Sequence, residues 1–425
     1  MDRFTDPLVL CLQPDAVGLF FFVLTGVLFL LVSVFALSYT EHDGHRGRFY
    51  LFLVLTFLAL AGLAFAGNLF TFYLFFEVMS IVSFPLVLHG GSLSGRRAAV
   101  TYFGFSVFGA TLALGGMFLL GGAGMGTFLP GGLSLPAGTR YTLSALLMLA
   151  GFSCKAGLMP LSNWLPTAHP EAPAPASALL SGVITKAGML GVIRVVYFVF
   201  GPEALRGTFA QSGMTLLALA TIFMGSMLAY REKVLKKRLA FSSVSQLSYV
   251  VLGLVTMNLA AFTGALLQMA FHAAAKVGLF LCAGAIQHRT GYTRVEELSG
   301  VGKRMPGTML CFGAFSLSLV GIPPFGGFAA KWSLAEGALQ QGGTIGTAAV
   351  IVLLVSALLT AGYLLPIVGD GFFRQGDGFK KTEADGRMLW PMVLLAAFVL
   401  LVGAFPGGLT ACFDRIGYAL LGGAG

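Results

Sequence analysis

Charged residues are scarce in this chain: Asp, Glu, Lys and Arg make up 10% of its 425 residues, whereas hydrophobic residues make up 57%. A soluble globular chain carries about a quarter charged residues, so this class is excluded. Strand-length alternation of apolar and polar residues is also absent, which excludes a membrane barrel. Apolar runs of about 20 residues, each long enough to cross a bilayer, recur from residue 17 to residue 405. The composition therefore predicts an all-α polytopic membrane protein.

Cysteine pairs with ligand spacing are missing as well. The five cysteines include no CxxC motif, and most of them lie in apolar runs. Their spacing supports neither an iron–sulfur cluster nor a disulfide framework, so we expect no cofactor and no redox centre in this chain. The N-terminal segment MDRFTDPLVL lacks a basic region, so no cleaved signal peptide is predicted.

Apolar segments divide the chain into about twelve predicted transmembrane helices. They cover residues 17–39, 49–66, 68–88, 98–120, 142–159, 174–200, 212–229, 239–256, 259–285, 307–338 (broken), 345–366 and 389–405. The second and third spans are separated on length alone, because 49–88 is about twice as long as one crossing needs.

Basic residues are distributed unevenly over the connections between these spans. The odd-numbered connections carry Arg46, Arg48, Arg96, Arg97, Arg231, Lys233, Lys236, Lys237, Arg238, Arg289, Arg294, Lys303, Arg304, Arg374, Lys380, Lys381 and Arg387. The even-numbered connections and the two termini carry only Arg3, Arg140, Arg206 and Arg415. By the positive-inside rule, the odd connections lie in the cytoplasm and both termini lie outside.

Prolines interrupt two spans at matching positions. Spans 2 to 6 and spans 7 to 11 form two groups of five, and the fourth span of each group is broken, by Pro160 and by Pro323–Pro324. Since five is odd, the second group runs upside down relative to the first, which is typical of transporters whose broken helices mark an ion site. We therefore predict four units: an N-terminal span and loop (1–48), a first five-helix repeat (49–200), a second, inverted five-helix repeat (201–366), and a C-terminal span and tail (367–425).

Two charged residues define the first half of the candidate site. A lysine at the centre of a bilayer costs about 3 kcal/mol on insertion scales, so a chain rarely carries one without a use. Lys155 lies before the first break, and Glu77 is the one acid deep in a predicted span. We expect them to form an ion pair that takes part in ion movement. The alternative is a static pair that fixes helix packing.

The second half of the candidate site holds four further titratable residues. Lys186 has no acid near it in sequence, while His272 and Lys276 are four residues apart and share one helix face. Lys331 follows the second break. Such groups can pass protons if water reaches them, because the charge on one alters the titration of the next. For His272 the alternative is a core histidine bonded to a backbone carbonyl.

Other candidates carry weaker signals. His42 and His45 lie in a short polar loop, for which solvation is a better explanation than a metal site. His169 and Glu171 lie in the Pro-rich joint, where a relay role cannot be distinguished from a turn role. Arg194 lies close enough to a span end to reach the interface. The tail segment DRIGYALL is predicted to form a short interfacial helix.

Four motifs together resemble a known family. They are FFEVMS around Glu77, CKAGLMPLSNWLPTAHPEAPAPASALLSGVITKAG, FHAAAKVGLFLCAGAIQHRTG and GIPPFGGFAAKW. In this order they resemble the antiporter-like subunits of respiratory complex I, of membrane-bound hydrogenases and of Mrp-type multisubunit Na+/H+ antiporters. The resemblance covers nearly the whole chain. Because family members usually have about fourteen helices, we expect the twelve predicted spans to correspond to all but the first two. The family's functional positions fall on Glu77, Lys155, Lys186, His272, Lys276 and Lys331.

The resemblance implies a function. It implies a proton- or Na+-translocating membrane subunit of a multisubunit redox-driven complex, related to NADH-quinone oxidoreductase or to membrane-bound hydrogenase, in a prokaryotic cytoplasmic (inner) membrane. Iron–sulfur centres, and nickel–iron centres in hydrogenase-type complexes, would then lie in peripheral partner subunits, beside other membrane subunits. The alternative is a subunit of an Mrp-type Na+/H+ antiporter without redox chemistry. Neither interpretation implies a nucleic-acid partner.

Overall fold

A computed structural model describes residues 9–122, 126–133, 135, 138–374 and 382–422. Three of the basic residues used for the topology prediction, Arg3, Lys380 and Lys381, lie outside the described residues, as do the last three residues of the chain. Every named element in the described part is a helix, and pairing between strands is limited there to three isolated bridges. The predicted all-α fold is therefore confirmed.

The first half of the chain builds helices on either side of one break. They are α1 (Ala16–Tyr39), α2 (Arg46–Ala64), α3 (Leu69–Leu88), α4 (Leu93–Leu120), α5 (Thr139–Ala156), α6 (Trp164–Glu171), α7 (Ala174–Leu179) and α8 (Thr185–Ile193). A π-helical turn, Leu180–Ile184, joins α7 to α8, and a second π-helical segment, Arg194–Phe200, continues α8. These four pieces form one span, Ala174–Phe200.

The second half repeats this order of long and broken helices. Its elements are α9 (Pro202–Leu205), α10 (Phe209–Arg231), α11 (Leu235–Thr256), α12 (Leu259–Thr290), α13 (Val301–Arg304), α14 (Pro306–Val320), α15 (Gly326–Gln341), α16 (Gly343–Phe373), α17 (Gly386–Ala404) and α18 (Gly407–Leu420). The last of these contains all but the final residue of the tail segment DRIGYALL, which is therefore helical as predicted.

Ten helical segments of the described chain are long and apolar enough to cross a membrane, if Ala174–Phe200 is counted as one segment. The pairs α5/α6 and α14/α15 are the two broken spans, which brings the total to the predicted twelve. Polar side chains cap several of the long helices: Asp15, Asn68 and Asn258 each accept a hydrogen bond from a backbone N–H of the first turn. Such caps satisfy donors that have no partner within the helix.

The two breaks have the same local build. Helix α5 ends at Gly157 and α14 ends at Gly321, and both glycines adopt a left-handed conformation with φ of +81° and +89°. A left-handed residue ends an α-helix and suits glycine, which has no Cβ to clash. Pro160 and Pro323–Pro324 follow these glycines, so the chain cannot resume the helix at once. The predicted interruptions are therefore present.

Three spans form the core of the bundle. The most apolar stretches of Ala174–Phe200 and of α12 are entirely buried, and that of α11 is 94% buried, whereas that of α17 is only 28% buried. Helix α12 packs on α11, on α7 and its π-helical turn, and on both halves of the second broken span. The central spans are thus shielded from the surroundings by the other helices.

The helix contacts follow the same order in both groups of five. Helix α4 packs on α3, α5 and α6, and α12 packs on the corresponding elements α11, α14 and α15. The unit boundaries stay a prediction, and two of them fall inside helices. Helix α2 starts at Arg46, before residue 49, and α16 continues to Phe373, beyond residue 366.

Candidate functional site

Lys155 is held in a cage of hydroxyl groups. It lies in the last turn of α5 and is 2% exposed. Its ammonium donates to the Tyr102 hydroxyl at 2.8 Å, to Ser106 Oγ at 2.8 Å and to Ser80 Oγ at 3.0 Å. These contacts use all three of its N–H donors. The ammonium also lies 4.3 Å from the centre of the Tyr102 ring, which favours a cation.

Glu77 does not form the predicted ion pair with Lys155. Its carboxylate accepts a hydrogen bond from the Tyr73 hydroxyl at 3.1 Å, and no ion pair of 4.0 Å or less joins it to Lys155. Ser80, one turn further along α3, reaches the lysine instead. The two charges still interact electrostatically. Glu77 is only half-buried, because this side of α3 faces the surface of the chain.

Lys186 and His272 contact each other directly across the core. The Lys186 ammonium lies 2.9 Å from His272 Nδ1 and donates to the Ser181 carbonyl oxygen at 2.5 Å. That carbonyl belongs to the π-helical turn before α8, whose wider spacing brings it within reach of the side chain five residues later. A protonated Lys186 requires Nδ1 to accept, so the N–H of neutral His272 lies on Nε2. His272 Nε2 is buried without a hydrogen-bond partner.

Hydroxyl and carbonyl groups connect Lys276 to Lys186. The Lys276 ammonium donates to the Leu239 carbonyl at 2.9 Å, and Ser243 Oγ donates to the same oxygen at 3.0 Å. Ser243 Oγ lies 2.7 Å from Ser181 Oγ, and the Ser181 carbonyl accepts from Lys186. His272 therefore contacts Lys186 directly, while Lys276 is joined to that pair through two serines.

Lys331 binds the end of the second broken helix. Its ammonium donates to the carbonyls of Leu319 and Val320, at 2.5 and 2.9 Å, in the last turn of α14. A cation is favourable there, because the last carbonyls of a helix lack partners and carry partial negative charge. Lys331 also lies 5.3 Å from the centre of the Tyr249 ring. It is partly exposed, in a groove of about 640 Å³ between α14, α15 and α16.

A polar network near His272 was missed by the sequence reasoning. Gln268, one turn before His272 on α12, donates to Gln246 Oε1 at 2.8 Å. Gln246 in turn approaches Thr360 Oγ1 at 3.5 Å, and the Tyr363 hydroxyl donates to Ser242 Oγ at 2.7 Å. The stretch FSSVSQLSY at 241–249 carried the signal, since a buried span rarely holds so many polar side chains.

Arg194 reaches the end of a span, but its side chain is enclosed by protein there. Its side chain is fully buried and forms an ion pair of 2.6 Å with Asp15, the N-cap of α1. Its guanidinium lies between the rings of Phe128 and Phe198, at 5.0 and 4.6 Å from their centres. This arginine therefore fastens the start of α1 to the central span and lies apart from the lysine contacts.

The site thus comprises cationic groups on the central and broken spans, all buried except the partly exposed Lys331, and bonded mainly to neutral oxygens. Lys186, His272 and Lys276 are brought into one connected network. Lys155 and Lys331 lie on the two broken spans, each with its own partners, and Glu77 lies at the surface near Lys155. In the part of the chain that the structure describes, no group of three or more His, Cys, Asp or Glu residues could hold a metal ion. The arrangement brings the exchangeable protons of Lys186 and His272 into direct contact.

Comparisons with known proteins agree with this architecture. The family model described as NADH:quinone oxidoreductase/Mrp antiporter, TM, matches residues 66–360. NADH-quinone oxidoreductase subunit N of Desulforudis audaxviator is 32% identical over 90% of this chain and 81% of its own length. The D-type subunit of the Na(+)/H(+) antiporter of Alkalihalophilus pseudofirmus is 29% identical over 93% of this chain and 80% of its own length.

A solved structure shares the fold over almost the whole chain. A chain of the Mrp complex from Dietzia sp. DQ12-45-1b superposes with a TM-score of 0.85 at 25% sequence identity, covering 96% of this chain and 84% of that one. The predicted resemblance is therefore confirmed. On the family match and the subunit N relative, this chain belongs to the transmembrane family of NADH:quinone oxidoreductase and Mrp antiporter subunits.

Proposed function

We propose that this chain translocates protons across a prokaryotic cytoplasmic membrane, as one membrane subunit of a multisubunit redox-driven complex. The observation that carries the proposal is the contact of Lys186 with His272 and its link through Ser181 and Ser243 to Lys276. This network lies inside the three most buried spans, where an unused charge would be costly.

Because Lys186 and His272 are in direct contact, the protonation of each depends on the charge of the other. Two positive charges 2.9 Å apart repel strongly in a poorly hydrated core, so Lys186 and His272 carry at most one positive charge between them. A proton gained by Lys276 therefore disfavours the positive charge on this pair and favours release of a proton from it toward the next acceptor. Glu77, Lys155, Lys186, His272, Lys276 and Lys331 are the groups that we assign to this transfer.

Lys155 lies where it can couple the charge of Glu77 to the charge of Lys186. Its ammonium binds three hydroxyls and no carboxylate, so a change in the charge of Glu77 alters its energy without breaking an ion pair. Gly188 of α8 packs against the backbone of α5 beside Lys155. This close approach supports electrostatic coupling between Lys155 and Lys186.

The exposed side of α3 near Glu77 supports contact with another membrane subunit. Glu77 is half-buried, and its neighbours on the outer side of α3, Leu74, Val78 and Ile81, are exposed. A carboxylate at this depth is costly against lipid, which supports coverage by another membrane subunit. Iron–sulfur and nickel–iron centres are assigned to peripheral subunits. The basic connections support an orientation with both termini outside.

A second candidate is a subunit of an Mrp-type Na+/H+ antiporter without redox chemistry. The observation in its favour is that the oxidoreductase relative and the Na(+)/H(+) antiporter relative have similar identity to this chain, 32% and 29%. The network of Lys186, His272 and Lys276 suits either complex. In both, proton movement needs only a source of energy that changes the charge at one end of this network.

The proposal is tested by Lys155→Met in the intact complex. We expect the complex to assemble and proton uptake into vesicles to fall to the level of vesicles without the complex, because methionine keeps the packing and removes the charge. Lys233→Met, at a lysine of the polar connection between α10 and α11, serves as the matched control. Normal uptake in Lys155→Met would overturn the assignment.

The subunit composition of the native complex distinguishes the two candidate functions. The native complex is purified through a tag on this chain, its subunits are identified by mass spectrometry, and bound iron is measured. Stoichiometric iron–sulfur subunits support the redox-driven complex. Small hydrophobic partners without iron support the Mrp-type antiporter.

A further inference from the structure

His169 is a buried histidine whose two ring nitrogens have no protein partner. It lies near the end of α6, the second half of the first broken span, and is 0% exposed. Its ring stacks on Phe280 of α12 at 4.5 Å. A neutral imidazole always has one donor and one acceptor nitrogen, and leaving both without partners in a core is costly. Water normally fills such a gap.

His169 packs against α12, the helix that carries Lys276 and His272. Phe280, on which it stacks, lies one turn after Lys276 on α12. Pro170, the residue after His169, lines one cavity together with Lys236. The nearest acid on its own element, Glu171, accepts from Ser94 Oγ at 2.7 Å, so it is turned toward the α3–α4 connection.

A cavity approaches His169 from the predicted cytoplasmic side. It measures about 100 Å³, and its wall includes Pro170, Lys236, Gln287, Tyr292 and Thr293. Pro170 directly follows His169 in the chain. A cavity of this size has room for several water molecules, and four of these residues offer them polar partners. The wall consists of residues at the ends of α6, α11 and α12, next to connections rich in basic residues.

Lys236 lies between this cavity and the end of α6. Its side chain is only 7% exposed, although it belongs to the first turn of α11, and its ammonium donates to the Ala172 carbonyl at 3.3 Å. The next residue, Lys237, is turned outward instead and forms an ion pair with Glu232 at 3.1 Å. Two consecutive lysines thus have different roles, and only one lines the cavity.

We propose that the cavity at Lys236 is the cytoplasmic entrance of the proton path, and that His169 passes protons from its water to Lys276. The proposal rests on the proposed function and adds the side and the residues of entry. In each transfer a hydronium ion in the cavity gives a proton to one ring nitrogen of His169 and becomes water. The other ring nitrogen gives its proton to the neutral amine of Lys276, which becomes an ammonium, and a flip of the ring restores its starting tautomer.

Two substitutions at His169 separate a relay from a packing role. His169→Gln keeps a donor and an acceptor but cannot relay protons through a ring, and His169→Phe keeps the stack on Phe280. We expect both variants to assemble in the complex and to lose proton uptake. Wild-type uptake in assembled His169→Gln would overturn the relay. Lys236→Met is expected to slow uptake, whereas Lys237→Met, its neighbour outside the cavity, is expected to leave uptake unchanged.

Access to the cavity is measured without any transport. In a variant in which Cys11 and Cys412 are replaced by serine, Lys236→Cys is treated with a membrane-impermeant maleimide in intact complex. We expect labelling in inside-out vesicles and none in right-side-out vesicles. Labelling from the outside only, or no labelling from either side, would overturn the entrance.

These outcomes are distinguishable from failure of the proposed function. If Lys155→Met transports normally, the proposed function fails whatever the labelling shows. If Lys155→Met is inactive and assembled His169→Gln is fully active, only the entry path through His169 fails.

Discussion

Two kinds of cation occur among the residues within the spans of this bundle, and they differ in their bonding partners. Arg194 is fully buried and paired with the carboxylate of Asp15 at 2.6 Å. Lys155, Lys276 and Lys331 bind hydroxyl or carbonyl oxygens. A cation fixed by a carboxylate keeps its charge, whereas a lysine bonded to neutral oxygens can give up a proton without leaving an unpaired acid.

The Arg194 pair should be sensitive to which partner is removed. Asp15→Asn retains the helix cap but leaves a fully buried guanidinium without a counter-charge, and we expect a loss of about 3–5 kcal/mol in stability. Arg194→Met leaves Asp15, whose side chain is 27% exposed and can be hydrated, so the loss should be smaller. Thermal unfolding in detergent should rank the midpoints as wild type, Arg194→Met and then Asp15→Asn. The reverse order would contradict this account.

A second residue-scale prediction concerns pH at the α1–α2 loop. Partial burial opposes ionisation of Asp43, but hydrogen bonds from the His45 backbone N–H and the His89 ring outweigh it and lower the pKa of Asp43. A lowered folded pKa contributes stability above the unfolded value of about 3.9, and that stability is lost as the pH falls through the folded pKa.

We therefore expect the loop at 40–45 to leave the end of α3 below about pH 4. An acid-active protease should cut the loop faster below that pH than above it. Asp43→Asn cannot ionise, so its loop should be cut at a rate that varies much less with pH. An equal acid dependence in both proteins would rule out the carboxylate as the cause.

At the scale of elements, the approach of α5 and α8 sets the distance between the two halves of the site. A Cβ on Gly188 would lie 2.5 Å from the Phe152 carbonyl oxygen and 3.1 Å from Lys155 Cβ. The Phe152 carbonyl is a backbone group, so it cannot move aside as the end of a flexible side chain can. Gly188→Ala must therefore push α8 away from α5, at a cost of about 1–3 kcal/mol.

We expect Gly188→Ala to lower the thermal midpoint and to reduce proton uptake, since Lys155 and Lys186 move apart. The matched control is Gly104→Ala on α4, because no atom lies within 4 Å of the added Cβ there. Alanine is the better helix former, so this control should be neutral or slightly more stable. Unchanged uptake in Gly188→Ala would show that the spacing does not matter.

For the whole molecule, the distribution of charge favours protons over Na+. Lys186, Lys276 and Lys331 lie on the central and second broken spans, and in the described part of the chain none of them pairs with an acid. A hard metal cation requires several oxygen ligands, and the ammonium groups already occupy the nearest carbonyls. They would also repel a second cation.

Uptake should therefore not depend on Na+. Vesicles containing the complex should accumulate no radioactive sodium above the level of vesicles with the Lys155→Met complex. Replacing Na+ by K+ should leave proton uptake unchanged. Sodium uptake that disappears in Lys155→Met would instead identify Na+ as the transported ion.

The amino-acid sequence by itself determined the membrane spans, the two breaks and the identity of the charged groups. The physical reason is local: a bilayer requires about 20 apolar residues per crossing, Gly157 and Gly321 with the prolines that follow end a helix, and a lysine within a span is costly enough to be conspicuous.

Only the tertiary structure decided which of these groups meet. Contacts between distant spans depend on how far each helix is rotated about its axis, and the π-helical turn at Leu180–Ile184 changes that rotation before Lys186. Lys186 contacts His272 just after this turn. On α3, Glu77 bonds to Tyr73 and forms no ion pair with Lys155, and Arg194 is enclosed beside Asp15. The spacing of residues along one helix does not contain this information.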